Sequence, residues 1–192
     1  MQKNPAITGT SGEKIDSLQI NQFVIQEQGD RYTLLGSACK NNDINKVKKL
    51  LRAGADIQLA KTDDIYEFDA LYVAIENNHV ALVNYILTED VDISRIYTEE
   101  GLTPLTLACK LNRDLIAEKL IPKEANVNGI ILGNSEYIIT PLLVALENNN
   151  FSLTKRLLEK GANVDVQNEA GDDARSIGLR KGGKWVFLFE EH

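Results

Sequence analysis

Histidine and cysteine, the residues behind most nucleophilic and metal chemistry, are scarce here. There are two of each, His79, His192, Cys39 and Cys109, in 192 residues. No C-x-x-C, H-E-x-x-H or G-x-x-x-x-G-K-S/T occurs, so no redox, zinc-protease or phosphate-loop motif supports an enzyme. Positive charge is also short. Lys and Arg total 21 against 28 Asp and Glu, the net charge is −7 and the pI is about 4.9. A nucleic-acid backbone needs clustered cations, so that partner is excluded and a basic protein is permitted. No run approaches the roughly 20 apolar residues of a membrane span. The N-terminus, MQKNPAITGTSGEK, has no apolar core for a signal peptide. As written the chain is expected in the cytoplasm; a periplasmic or secreted protein with its leader trimmed would read the same.

What is present is repetition. LLRAGADIQ (50–58), ILTEDVDIS (86–94), LIPKEANVN (120–128) and LLEKGANVD (157–165) align, as do TLLGSACKNN, DALYVAIENN, TPLTLACKLN and TPLLVALENN. The second set starts at 33, 69, 103 and 140, spacings of 36, 34 and 37, and a fifth copy, DARSIGLRKG, starts at 173. Each copy reads as two short amphipathic helices. In the first, Leu35, Ala38 and Cys39 face inward, followed by a stripe of Ile44, Val47, Leu50 and Leu51 at spacings of three and four. The corresponding second-helix stripes hold Val80, Leu82, Val83, Ile86 and Leu87, then Leu115, Ile116, Leu120 and Ile121, then Leu153, Leu157 and Leu158. Thr or Asp before each first helix suits an N-cap, and Pro104 and Pro141 suit the first helical position. Asn42, Asn78, Asn112 and Asn149 sit where the chain turns between helices and tolerate a left-handed backbone. Gly54 and Gly161 read as helix-ending residues with positive φ. Asp90 replaces that glycine in the second copy and is expected to adopt the same conformation at some cost.

Residues 1 to about 13 are expected to be disordered. Residues 15–29, IDSLQINQFVIQEQG, show neither a helical nor a strand period and read as a cap over the first copy. At the other end Ile177 and Leu179 mark one short helix, and Trp185, Val186, Phe187, Leu188 and Phe189 read as a terminal apolar plug.

A period near 33 with T-P-L, an alanine before a small residue, and G-A-D/N-V/I-N/D in register resembles the ankyrin repeat. The resemblance covers residues 30–192. It implies an all-α fold: a solenoid of paired antiparallel helices with β-hairpin finger loops, of about four full repeats and a truncated capping repeat, after the tail and cap at 1–29. Cys39 and Cys109 take the same place in two repeats with one between. Stacked repeats lie roughly 10 Å apart, so the thiols are too distant to bridge and read as buried apolar groups. The family's T-P-L-H histidine is replaced by Gly36, Tyr72, Thr106, Leu143 and Ser176, which removes side-chain hydrogen bonds or frees the place for contact. His79 sits where the family often has histidine, a structural place. The connections AKTDDIYEFD and GIILGNSEYI are about three residues longer than usual.

In such arrays the fingers and first helices line a concave binding face. The residues just before the first helices, Tyr32, Phe68, Leu102 and Ile139, form an apolar ladder at an ordinarily exposed place. Ile65, Tyr66, Tyr72, Glu99, Glu100 and Tyr137 lie near it, and Glu76 and Glu147 lie on the free helix positions. Aromatic groups ringed by carboxylates suit a hot spot with a charge-steered rim. The resemblance implies a non-catalytic protein-binding module, monomeric when unbound, without cofactor, metal, nucleic-acid or membrane partner, whose partner presents a basic or mixed surface. Two alternatives stay open: a bacterial immunity or inhibitor protein occluding a toxin or hydrolase, and a structural spacer.

Overall fold

Thr33, Asp69, Thr103, Thr140 and Asp173 each hold an extended backbone before a helix. Each accepts a hydrogen bond from the N–H three residues on, that of Gly36, Tyr72, Thr106, Leu143 and Ser176 respectively. Each cap thereby satisfies one of the donors a helix N-terminus leaves without a partner. The places that lack the family histidine are therefore tied down through their backbone. A computed structural model describes residues 7–8, 14–15, 19–27, 29–123, 127–130 and 139–190. The chain divides into two compact units, Met1–Asp92 and Ile93–His192.

In the first unit β1 (Ile7–Thr8) pairs antiparallel with β2 (Lys14–Ile15). Strands β3 (Ile25–Glu27), β4 (Asp30–Tyr32), β5 (Lys61–Thr62) and β6 (Glu67–Phe68) form an antiparallel sheet in that order. Its helices are α1 (Leu34–Lys40), α2 (Ile44–Arg52), α3 (Ala70–Glu76) and α4 (Val80–Ile86). Helix α1 packs on α2 and α3, and α3 packs on α4. The second unit holds α5 (Pro104–Lys110), α6 (Asp114–Leu120), α7 (Pro141–Glu147), α8 (Phe151–Glu159), α9 (Ala174–Lys181) and α10 (Lys184–Glu190). There α7 packs on α5, α8 and α9, while α10 closes against α9.

The turn residues behave as their chemistry requires. Asn42, Asn78, Asn112 and Asn149 have φ of 56°, 59°, 54° and 57°, the left-handed region that Asn reaches more readily than most residues. Gly54 (φ 93°) and Gly161 (φ 80°) end the two nine-residue helices α2 and α8. Asp90 does not take this conformation. Instead α4 stops at Ile86 after seven residues. The Thr88 and Glu89 N–H groups then donate three residues back, to the Tyr85 and Ile86 carbonyls at 2.9 and 3.0 Å. Ending the helix early removes the need for a residue with positive φ.

The segment before the first helix is the finger half of one more repeat. The Val24 N–H donates to the Tyr32 carbonyl at 3.1 Å, as the Ala60 N–H does to that of Phe68 at 2.8 Å. The Asn21 Oδ1 accepts from the Asp56 N–H at 2.8 Å, and Asn128 Oδ1 accepts from the Asn163 N–H. Ile20 is buried beside it. A three-residue strand is too short to show a period, which is why β3 was not legible as one.

Packing corrects three apolar assignments. Leu115 is 67% and Leu179 61% exposed; each lies about 100° around the helix from its buried neighbour, Ile116 or Gly178. The terminal run is a second helix that packs on α9, burying Trp185, Leu188 and Phe189 but leaving Phe187 out. Gly178 makes room for it: a Cβ there would lie 2.4 Å from the Phe189 ring.

Candidate functional site

The finger of the first unit is organised around a buried ammonium. The Lys61 side chain is 7% exposed, with Nζ 2.8 Å from Glu76 and 3.1 Å from Asp30. The rings of Tyr32, Phe68 and Tyr72 surround it with centroids 6.0, 5.7 and 5.6 Å away. Phe68 and Tyr72 stack at 4.0 Å. Burial would lower the Lys61 pKa, but the hydrogen bond and charge of Glu76, with the hydrogen bond to Asp30, outweigh it and hold the pKa above its ordinary value. Tyr72 is pushed up to about 12, first by burial and then by the Glu76 charge. Beside this cluster the Lys40 ammonium donates to Glu27 and lies 4.8 Å over the Tyr32 ring. That hydrogen bond is the main reason its pKa is raised.

This arrangement corrects the apolar ladder. Tyr32, Phe68 and Leu102 are 2%, 3% and 5% exposed, so they are packing groups and not accessible contacts. Tyr32 pairs with Lys61 and Lys61 with Phe68 across β4, β5 and β6. Residues directly opposite share a face of a sheet, and here that face lies against the first helices. Leu102 is drawn in by a turn in which the Tyr97 N–H donates to the Leu102 carbonyl at 2.9 Å. Ile139 is half-buried, Glu99 and Glu100 are exposed, and Tyr137 lies outside the described residues.

The tip of the finger is rigid and apolar. Asp63 Oδ1 accepts from the N–H groups of Ile65 and Tyr66 at 3.0 and 2.8 Å. Thr62 Oγ1 donates to the Tyr66 carbonyl at 2.8 Å and accepts from the Asp64 N–H at 3.1 Å. Asp64 supplies the left-handed turn at φ 76° and pairs with Arg31. Four hydrogen bonds thus hold up Ile65, which is 79% exposed. Tyr66 stands half-buried, 6.3 Å from Phe68.

The second unit carries an open groove of about 360 Å³. Its floor is Leu143 and Val144 of α7 with Ile139, and its rim includes Glu147, Asn148, Asn168 and Glu169. A second hollow of about 270 Å³ shares Glu147 and Asn168 and adds Arg180 and Lys181. The loop wall is fixed by Asn168 Oδ1, which accepts from the N–H groups of Ala170 and Asp172, both at 3.0 Å. Cations near the groove already have partners. Lys110 lies 3.4 Å from Glu100, Arg180 forks onto Asp172 at 3.1 and 2.6 Å, and Lys181 donates to Asn149. Among the described residues neither Glu147 nor Glu169 has a hydrogen-bond or ion-pair partner.

Of the sequence-predicted contacts, the structure brings Ile139 and Glu147 together in this groove and Tyr72 and Glu76 together around Lys61. Sequence reasoning missed Lys61, Asn168 and Glu169. For Lys61 the available signal was a lysine two residues before a turn-forming Asp-Asp pair, opposite an aromatic. Glu169 carried none beyond its place in a loop between repeats.

Among the described residues the histidine and cysteine candidates are structurally engaged or buried; His192 lies outside them. His79 Nε2 donates to the Lys40 carbonyl at 2.9 Å, tying α4 to the end of α1. Burial pushes the Cys39 thiol up to about 12 and the Cys109 thiol higher still, so neither is a thiolate near neutrality. Among the described residues no group of three or more His, Cys, Asp or Glu is placed to hold a metal, and no helix is long and apolar enough to cross a membrane.

Comparison with known proteins agrees with the repeat geometry. Residues 12–97, 34–131 and 93–168 match the family model described as ankyrin repeats (3 copies). The first match begins before the first helix, at the half-repeat found in the fold. A curated relative is the palmitoyltransferase AKR1 of Lachancea kluyveri, 29% identical over 110 residues, which is 55% of this chain. The chain spans only 15% of that relative's length. The matched span, the repeated caps and the Asn turns together place this chain in the ankyrin-repeat family.

Proposed function

We propose that this chain is a non-catalytic module that binds a partner protein with a basic or mixed surface through its first helices and fingers. Ankyrin repeats generally serve protein–protein interaction, and they are typically non-catalytic. The observation that carries the reading is Ile65, a fully presented aliphatic side chain on a tip held by four hydrogen bonds. A rigid apolar anchor loses little conformational entropy when it is covered. Tyr66 beside it adds an aromatic edge, and the exposed Asp63 adds negative charge that steers a basic partner.

The test is affinity capture from the native cell with mass spectrometry, comparing the wild type with Ile65→Asp/Tyr66→Ala. The captured protein should be lost from the variant while its helical circular dichroism is retained. Phe68 is left intact because its removal would undo the Lys61 cluster. Equal capture by both chains would overturn the proposal.

A further inference from the structure

We infer that the groove of the second unit takes an extended segment of a partner protein bearing a lysine or arginine next to an apolar side chain. The inference rests on the protein-binding reading above and adds the chemistry selected by a second surface. Three observations carry it. First, Glu147 and Glu169 rim the groove with no partner among the described residues. Second, the cations at the groove and the adjoining hollow are already committed, Lys110 to Glu100, Arg180 to Asp172 and Lys181 to Asn149. An acidic segment would be repelled by both rim carboxylates, whereas a basic one meets two that have no partner among the described residues. Third, the lining includes an accessible apolar group, half-buried Ile139, backed by the buried Leu143 and Val144 of α7.

Size narrows the occupant further. About 360 Å³ lies at the lower end of ligand-site volumes. It holds one or two side chains of an extended chain, not the face of a globular domain. Asn148 Nδ2 donates to the Cys109 carbonyl and Asn168 Oδ1 is taken by two backbone N–H groups, which leaves Asn148 Oδ1 and Asn168 Nδ2 at the rim to pair with a peptide main chain. The segment would then lie along α7, its apolar residue against Ile139 and its cation toward Glu147 and Glu169.

Selection of random displayed dodecapeptides against the full chain tests this, followed by affinity measurement with the enriched peptides. Enriched sequences should share a Lys or Arg adjacent to an apolar residue. Glu147→Gln/Glu169→Gln should weaken them at least tenfold, and raising the salt should do the same to the wild type. Amide resonances of residues 139–148 and 168–170 should shift on titration of the peptide into the wild-type chain. Recovery of acidic peptides, no recovery at all, or peptides indifferent to the double variant would overturn the inference. Peptides lost from Ile65→Asp but not from the double Gln variant would place binding at the fingertip, leaving the module reading intact and the groove wrong. If native capture is also indifferent to Ile65→Asp/Tyr66→Ala, the module reading falls on its own measurement.

Discussion

Glu76 and Glu147 occupy the same place, the last residue of a first helix, and do different things. Glu76 lies 2.8 Å from the Lys61 ammonium and helps bury it among three aromatic rings. Glu147 stands over an apolar groove with no partner among the described residues. In one repeat the carboxylate builds the finger; in the other it has no partner among the described residues. In the first unit β5 delivers the lysine that binds Glu76; the finger preceding Glu147, at 131–138, lies outside the described residues.

The comparison is sharpened most by removing what seats the finger. A Cβ at Gly36 would lie 1.8 Å from the Ala60 carbonyl oxygen, a backbone atom that cannot step aside. Gly36→Ala should cost about 3 kcal/mol or more and speed hydrogen exchange across residues 57–70. Gly178→Ala should cost less, about 2 kcal/mol, because its obstacle is the Phe189 ring, which can turn. Denaturant melts and residue-resolved exchange check both.

Lys61→Met should cost about 2 kcal/mol by leaving Asp30 and Glu76 facing each other across the aromatic cluster. It should also change the alkaline limb of stability. Lys61 and Tyr72 both have folded pKa values raised above their ordinary 10.5 and 10.0. Their contributions are therefore complete below those unfolded values and are lost as pH rises through the folded ones. Stability should stay level up to about pH 10 and fall beyond it, with a shallower fall in Lys61→Met. A fall as steep in the variant would refute the role given to the ammonium.

The direct comparison of the two carboxylates predicts a smaller gap. Glu76→Gln should cost about 1 kcal/mol, its side chain being about a third exposed. Glu147→Gln should stay within about 0.5 kcal/mol while weakening binding at the groove. Smallest of all, Asp90→Gly should leave stability within about 0.5 kcal/mol, because Asp90 does not hold the left-handed conformation a glycine would relieve. A gain of 1 kcal/mol or more would show strain at that helix end.

Much of the fold was legible because it is local. Thr33, Thr103 and Thr140 cap helices through their own side chains, and the Asn turns need only their own backbone preference. Half of the candidate site was legible in the same way: Glu147, Tyr66 and Ile65 lie at positions whose exposure the repeat register implies. The ladder was misjudged because Tyr32 and Phe68 share with Lys61 of β5 a sheet face that lies against the first helices, and β5 is a strand two residues long that no period reveals. Leu115 and Leu179 were misjudged because a stripe of apolar residues does not say where its edge lies until a neighbour covers it.

The residue order alone determined where each capped first helix begins and how each hairpin turns, since these depend on contacts a few residues apart. Which carboxylate would be bound and which left open was decided only in three dimensions. Lys61 precedes Glu76 by fifteen residues and follows Asp30 by thirty-one, and only the folded sheet brings the three together. Charge pairing depends on distance in space, and the sequence carries that distance only after the chain has packed.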